Sequence, residues 1–271
     1  MAYHMINDSV KTVRKGDPEC FPVPGAVWSV TGEIPEDDVN EMSWKGTEQK
    51  ICLKEHINTG GIKRMDNVYR RDHEMPYISD EAVMAQQKEL KKAIREYNEA
   101  MPFEPEKGME CLERAGIKHK KNVYFEPPFH CEYGSHIEVG ENFYANTHCV
   151  MLDVGKITIG DNVMFGPNVG IYTAGHPIHP VSRNSAFEYG IPVTIGDNVW
   201  IGGSCCVLPG VKIGNNVVIG AGSVVTKDIP DNVCATGNPC RVIREITDAD
   251  KPYYFKDRKF DEEAWAKING K

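Results

Sequence analysis

Between Ile195 and Val225 an aliphatic residue opens every block of six: Ile195, Ile201, Val207, Ile213, Ile219 and Val225. A second column follows four places later: Val199, Cys205, Val211, Val217, Ser223 and Ile229. Ile159, Phe165 and Ile171 keep the same step upstream. Six residues is not a whole number of 3.6-residue turns, so a helix is excluded. One long strand is excluded as well, because turn formers recur inside the blocks: Gly196-Asp197-Asn198, Gly202-Gly203, Pro209-Gly210 and Gly214-Asn215-Asn216. The remaining solution is a short strand, a bend and another short strand, with one inward side chain per flat. Three flats close a triangular coil of about 18 residues, and successive coils stack as parallel strands ~4.8 Å apart. The aliphatic column fills the prism, and Gly and Asn take its corners.

The rhythm organises the rest of the chain. It starts near Asn122, is interrupted from Gly175 to Pro192, and resumes. Upstream, a helix is expected after Met75-Pro76, capped by Ser79, with Asp80 and Glu81 in its first turn. Val83, Leu90, Ile94 and Tyr97 share one face, and Pro102 and Pro105 end it. A shorter helix is expected from Glu106 to Ala115, stopped by Gly116. The resulting division is an extension over 1–75 with no period, a helical region over 76–121, a prism over 122–246 with an inserted loop at 175–192, and a tail over 247–271. No apolar run approaches the ~18 residues of a membrane span, and the first residues lack the pattern of a signal peptide. Nine cysteines with no metal-knuckle spacing read as reduced thiols, and a cytoplasmic location is expected. A net charge of −8 argues against general nucleic-acid binding, so an anionic ligand needs a local cationic site.

Several stretches carry a resemblance: Tyr133-Gly134, NFYAN at 142–146, TAGHP at 173–177, VTIGDNVWIG at 193–202, GAGSVVTKDIP at 220–230, GNPCRVIREI at 237–246 and YYFKD at 253–257. Over about residues 76–258 the chain resembles the hexapeptide-repeat sugar O-acetyltransferases, the galactoside and maltose enzymes. The resemblance implies a mainly β fold, a left-handed parallel β-helix with N-terminal helices and a protruding loop. It also implies acetyl-CoA as co-substrate, a sugar acceptor, no metal, and a homotrimer with sites shared between chains.

His176 stands where the repeat breaks, in TAGHPIHP. Acyl transfer to an alcohol needs a base for the hydroxyl proton, and histidine suits that near neutral pH. Read from the residues alone, a surface loop histidine is the competing account; the resemblance makes His176 the catalytic base and leaves His179 solvated or structural. Asn146 is either an acceptor ligand or a corner asparagine in the left-handed conformation. Glu132 and Asp153 are further acceptor-side candidates. The family's second acceptor-site aspartate falls at Val154, which puts a galactoside acceptor in doubt. Asp80 is an offset counterpart of the family's N-terminal aspartate, and Gln87 or Lys88 occupies the region of its arginine. On the donor side the resemblance places Trp200 beside the pantetheine arm and the Gly203 amide at the thioester oxygen, where it would stabilise an oxyanion. Ala221, Thr226 and Lys227 match positions along the arm, and Arg241 and Arg244 would meet phosphates. A solvated strand face competes for the arginines, and burial by a neighbouring chain is compatible with the role given to Trp200.

Cys205 lies in an inward column and reads as a core thiol, while Cys149 and Cys206 have no adjacent histidine in sequence, so direct transfer is expected rather than a covalent acyl-enzyme. The alternatives on the same fold are an antibiotic (streptogramin- or chloramphenicol-type) or serine O-acetyltransferase. More remote is a γ-type carbonic anhydrase, which needs three histidines on zinc; a non-catalytic scaffold is the last.

Overall fold

The computed structural model describes residues 2–6, 9–13 and 65–270. The chain forms two compact units, Met1–Ile62 and Lys63–Lys271. In the first, strands Ala2–Ile6 and Ser9–Val13 pair antiparallel. Most of the expected 1–75 extension lies outside the described residues, and the second unit begins ahead of residue 76.

The second unit is a triangular solenoid of stacked parallel coils. Its first sheet runs Lys118–His119, Ile137–Val139, Ile157–Ile159, Val193–Ile195, Lys212–Ile213. The second sheet runs from Tyr124–Phe125 through Tyr144–Ala145, Met164–Phe165, Trp200–Ile201 and Val218–Ile219 to Val233–Gly237, with Cys240–Glu245 antiparallel at its end. Phe129–Cys131, Cys149–Leu152, Gly170–Tyr172, Cys206–Val207 and Val224–Val225 form the third. Both sequence columns point inward: Ile201, Val207 and Val225 are fully buried, and so are Val217 and Ser223. The expectation of one inward residue per flat therefore falls short, since each block contributes two. Ser223 is admitted because its hydroxyl is satisfied, donating to the Gly220 carbonyl and accepting from Gly237 N at 3.1 Å.

The three edges of the prism differ. On the first edge, between the first and second sheets, Asn122, Asn142, Asn162, Asn198, Asn216 and Asn232 all have φ between 55 and 60°. Each amide donates to the next at 2.7–3.2 Å, which repays the left-handed backbone. The second and third edges carry the site.

Helix α1 (Asn67–Asp72), helix α2 (Glu81–Ala100) and helix α3 (Pro105–Arg114) belong to this unit. Asp80, not Ser79, caps α2: its Oδ1 accepts from Val83 N at 3.1 Å, the reach a cap needs. Val83, Leu90, Ile94 and Tyr97 are buried as their spacing predicts. The Tyr97 hydroxyl donates to Phe125 O at 2.6 Å, and Asn98 pairs with both backbone groups of Phe129 at 2.9 Å. An amide side chain thus stands in for a neighbouring strand at that sheet edge. Gly134, at φ 66°, allows the chain to pass Ala115 O, which a Cβ would approach to 2.2 Å. At the tail, strands Tyr253–Phe255 and Arg258–Lys259 precede helix Glu262–Asn269.

Candidate functional site

The interruption of the repeat is a hairpin rooted at Thr173 on the third edge. Strand Ala174–Gly175 pairs antiparallel with Phe187–Gly190, which pairs in turn with Tyr77–Ile78. Its return needs Gly190, because a Cβ there would lie 2.5 Å from Gly155 N. His176 follows the first strand and is exposed. His179 is structural: its Nδ1 accepts from Val181 N at 3.3 Å and starts the short helix Pro180–Asn184.

Beneath the hairpin lies a polar cluster. Asp153 is fully buried, and its Oδ1 accepts from Glu132 N at 2.7 Å and Tyr133 N at 3.0 Å. Asp153, expected among the acceptor ligands, supports Glu132 and Tyr133 with Oδ1, while its Oδ2 is buried with no hydrogen-bond partner among the described residues. Burial also pushes its carboxyl above the usual carboxylate range, against those two N–H donors. Half-buried Glu132 is raised as well, chiefly by desolvation, while the cation of Lys91 opposes. Gln87 Nε2 donates to Glu132 Oε2 at 2.8 Å and to the Tyr133 hydroxyl at 3.0 Å. Tyr77 OH donates to Glu188 Oε2 at 2.7 Å. Asp80 uses both oxygens structurally, Oδ1 on the α2 cap and Oδ2 on Asn67 Nδ2 at 2.8 Å, and these bonds hold its carboxyl low. Glu188 and Tyr77 went unnoticed in the sequence, because neither lies in the repeat; only their pairing across the sheet brings them to the site.

The donor-side candidates divide. Thr226 and Lys227 follow Val225, which aligns through Val207 with Ile171, so they lie two coils from the hairpin root on the same third edge, roughly 10 Å along the prism. Asn146, Gly203 and Ala221 stack on the second edge. Asn146 lacks the positive φ expected of a corner asparagine; His148 and Ser204 hold that conformation there. Its Oδ1 accepts from Thr147 N at 2.8 Å, and its Nδ2 has no acceptor among the described residues. Among the described residues nothing accepts from the N–H of Gly203 or Ala221 either, although Gly203 O accepts from Gly222 N at 2.9 Å. Trp200 projects from the second sheet between Met164 and Val218 and is 51% exposed. Arg241 and Arg244 lie on the terminal antiparallel strand of that sheet; Arg244 is held by Asp250 at 2.9 Å.

In one chain, then, the histidine loop and the free amides occupy different edges. A flat of six residues separates them, on the order of 15–20 Å.

The family of bacterial transferase hexapeptides (six repeats) matches residues 192–227, and the hexapeptide repeat of succinyl-transferase matches 156–178. The galactoside O-acetyltransferase of Escherichia coli is 50% identical over 169 residues, which is 62% of this chain and 83% of the relative. Among solved structures, the maltose O-acetyltransferase from Clostridium difficile is 50% identical with a TM-score of 0.66, covering 68% of this chain and 99% of that one. A galactoside acetyltransferase in complex with coenzyme A is 44% identical with a TM-score of 0.69, covering 73% and 100%. The chain belongs to the hexapeptide-repeat sugar O-acetyltransferases.

The solenoid is thus the left-handed parallel β-helix of this family. Its thiols are ill suited to attack. Burial pushes Cys149 up to about 12 and raises Cys205 and Cys206, so none of the three is a ready thiolate near neutral pH. No described helix is long and apolar enough to cross a membrane.

Proposed function

We propose that this sugar O-acetyltransferase moves the acetyl group of acetyl-CoA directly to a hydroxyl of a sugar or glycoside, in sites completed by a second copy of the chain. One observation carries the reading: an exposed histidine on a hairpin at one edge, and two unpartnered amides beside Asn146 and Trp200 at the next. His176 takes the acceptor proton while the acceptor oxygen attacks the thioester carbonyl. The Gly203 N–H faces the oxyanion, the C–S bond breaks as the C–O bond is kept, and the proton passes to the departing thiolate of CoA. Trp200 and Ala221 line the pantetheine arm with Thr226 and Lys227, and Arg241 and Arg244 meet the phosphates. Glu132, Glu188 and Asn146 offer acceptors and a donor to a polyhydroxylated, uncharged acceptor.

Two of the three outer faces support the assembly. The first sheet shows Lys118, Glu138, Thr158, Thr194 and Lys212 to solvent. The third shows His130, Val150, Cys206 and Val224 along one register, apolar beyond its first member. A cyclic trimer with third faces inward brings the hairpin edge of one chain to the amide edge of the next. Free thiols at all seven described cysteines suit a cytoplasmic setting.

The test is a panel of glucose, maltose, galactosides and serine with acetyl-CoA, run on the wild type and His176→Ala. Acetylation of a sugar with kcat reduced at least ~100-fold in the variant, and CoA affinity kept, is the expected result. Near-wild-type turnover in His176→Ala would remove the base from the mechanism.

A further inference from the structure

Arg71 sits in α1, ahead of the stretch that carries the family resemblance, and it is 3% exposed. Its Nη1 is buried with no hydrogen-bond partner among the described residues. Nε and Nη2 both donate to Asp72 Oδ1, at 2.8 and 2.7 Å. A buried guanidinium with an unmade hydrogen bond costs stability, and an apolar side chain of similar length would fill the space without that cost. Packing therefore does not account for the residue.

Its position does. The guanidinium carbon lies 4.1 Å from the centroid of the Tyr133 ring, a close stacking contact. Tyr133 is held from three further sides. Asp153 accepts from its backbone N–H, the Gln87 amide donates to its hydroxyl, and its ring lies 5.4 Å from that of His136. His136 closes the circuit: its Nδ1–H donates to Asp153 O at 2.7 Å and its Nε2 lies 3.3 Å from Asp72 Oδ1. The consequence reaches Glu132 through Gln87. One amide nitrogen donates both to the Tyr133 hydroxyl and to Glu132 Oε2, so the place of the tyrosine ring fixes the amide, and the amide fixes the carboxylate.

We propose that Arg71 is a positioning residue for the acceptor side: by stacking on Tyr133 it sets, through Gln87, the orientation of the Glu132 carboxylate toward an acceptor hydroxyl. It touches neither substrate. The inference rests on the reading of Glu132 as an acceptor ligand. It extends the acceptor site into a segment of the chain that carries no hexapeptide period.

Arg71→Met keeps length and burial and removes the stacked cation. Its expected signature is a split: acceptor KM raised about 10-fold or more, the loss of one well-placed hydrogen bond to a charged group, with acetyl-CoA KM unchanged and Tm unchanged or higher. Arg71→Lys keeps charge without the planar fork, so it should fall between wild type and Arg71→Met, and it serves if the methionine variant does not fold. Tyr133→Phe should raise acceptor KM as Arg71→Met does, and the double variant should be no worse than either single one, since both act through Gln87. Additive effects, or a lower Tm with unchanged acceptor KM in either Arg71 variant, would overturn the proposal and leave Arg71 a packing residue. A wild type that acetylates no sugar would overturn both this inference and the functional reading beneath it.

Discussion

Two dead enzymes should make a live one. The hairpin carrying His176 is rooted on the third edge of the prism, while Asn146, Gly203 and Ala221 stack on the second. If each site takes its histidine from one chain and its amides from the next, two lesions in different chains can be kept out of the same site. One parent carries His176→Ala. The other carries Trp200→Ala with Ala221→Glu, which removes the indole and places a carboxylate where an anionic donor would lie. The His176→Ala parent should keep no more than ~1% activity, given the ~10²–10⁴-fold value of a general base, and the groove parent is used once its own activity is verified at that level. In trimers reassembled at random from equal amounts, a site works only when an intact loop meets an intact groove. The chance is one half times one half, so about a quarter of sites recover in a closed cyclic assembly. The assay is initial rate after denaturation and joint refolding, with heterotrimers verified by differential tags and native mass spectrometry. Recovery from below ~1% to ~25% is a rise that mixing errors do not imitate. Verified heterotrimers that stay at the parental level would show that loop and groove belong to the same chain, and the division of the site between edges would be wrong. A fully active monomer in sedimentation would end the argument sooner.

Other consequences follow from single side chains. Val150→Glu or Val224→Glu on the third face should break the assembly to monomers in sedimentation velocity, whereas Thr158→Glu on the polar first face should leave it intact. Tyr97→Phe should cost about 1–3 kcal/mol in denaturant melts, because the buried Phe125 carbonyl loses its donor and Phe125 N loses an acceptor at 3.2 Å. Asp153 has a folded pKa raised by burial, so its protonated form is favoured in the native state. For a carboxyl the sign then runs against the usual case: its contribution favours folding at low pH and is lost as pH rises from the unfolded pKa through the folded one. Stability of Asp153→Asn relative to wild type should therefore improve from acid to neutral pH, and a variant that loses stability relative to wild type as pH rises would refute the assignment.

How far the sequence carries depends on which residues answer to the repeat. Ile195, Ile201 and their successors state the fold outright, since a six-residue step admits no helix and no long strand, and every member of both columns is buried. The hairpin announces itself as a break in that step, and His176 with it. Where a side chain serves the prism and the site at once, sequence assigns it badly. Asp153 follows directly on the third-sheet strand and looks available, yet it is wholly interior, with one carboxylate oxygen on two backbone amides and the other buried without a partner among the described residues. Asp80 likewise begins a helix, and the cap and the Asn67 amide each take one of its carboxylate oxygens. Arg71, Tyr77 and Glu188 are illegible for the opposite reason. They have no period; Glu188 lies 111 residues from Tyr77 and meets it only because the strand Tyr77–Ile78 adds to the hairpin strand Phe187–Gly190, while Arg71 reaches the cluster by stacking on Tyr133. The proposed division of the site between chains is a third case. A linear pattern fixes the order of edges along one chain, and the approach of one chain's edge to another's is a property of the outer faces. Those faces were readable in part, as Lys118, Glu138 and Lys212 on one sheet against Val150, Cys206 and Val224 on another, but only after the coil had assigned each residue to its flat.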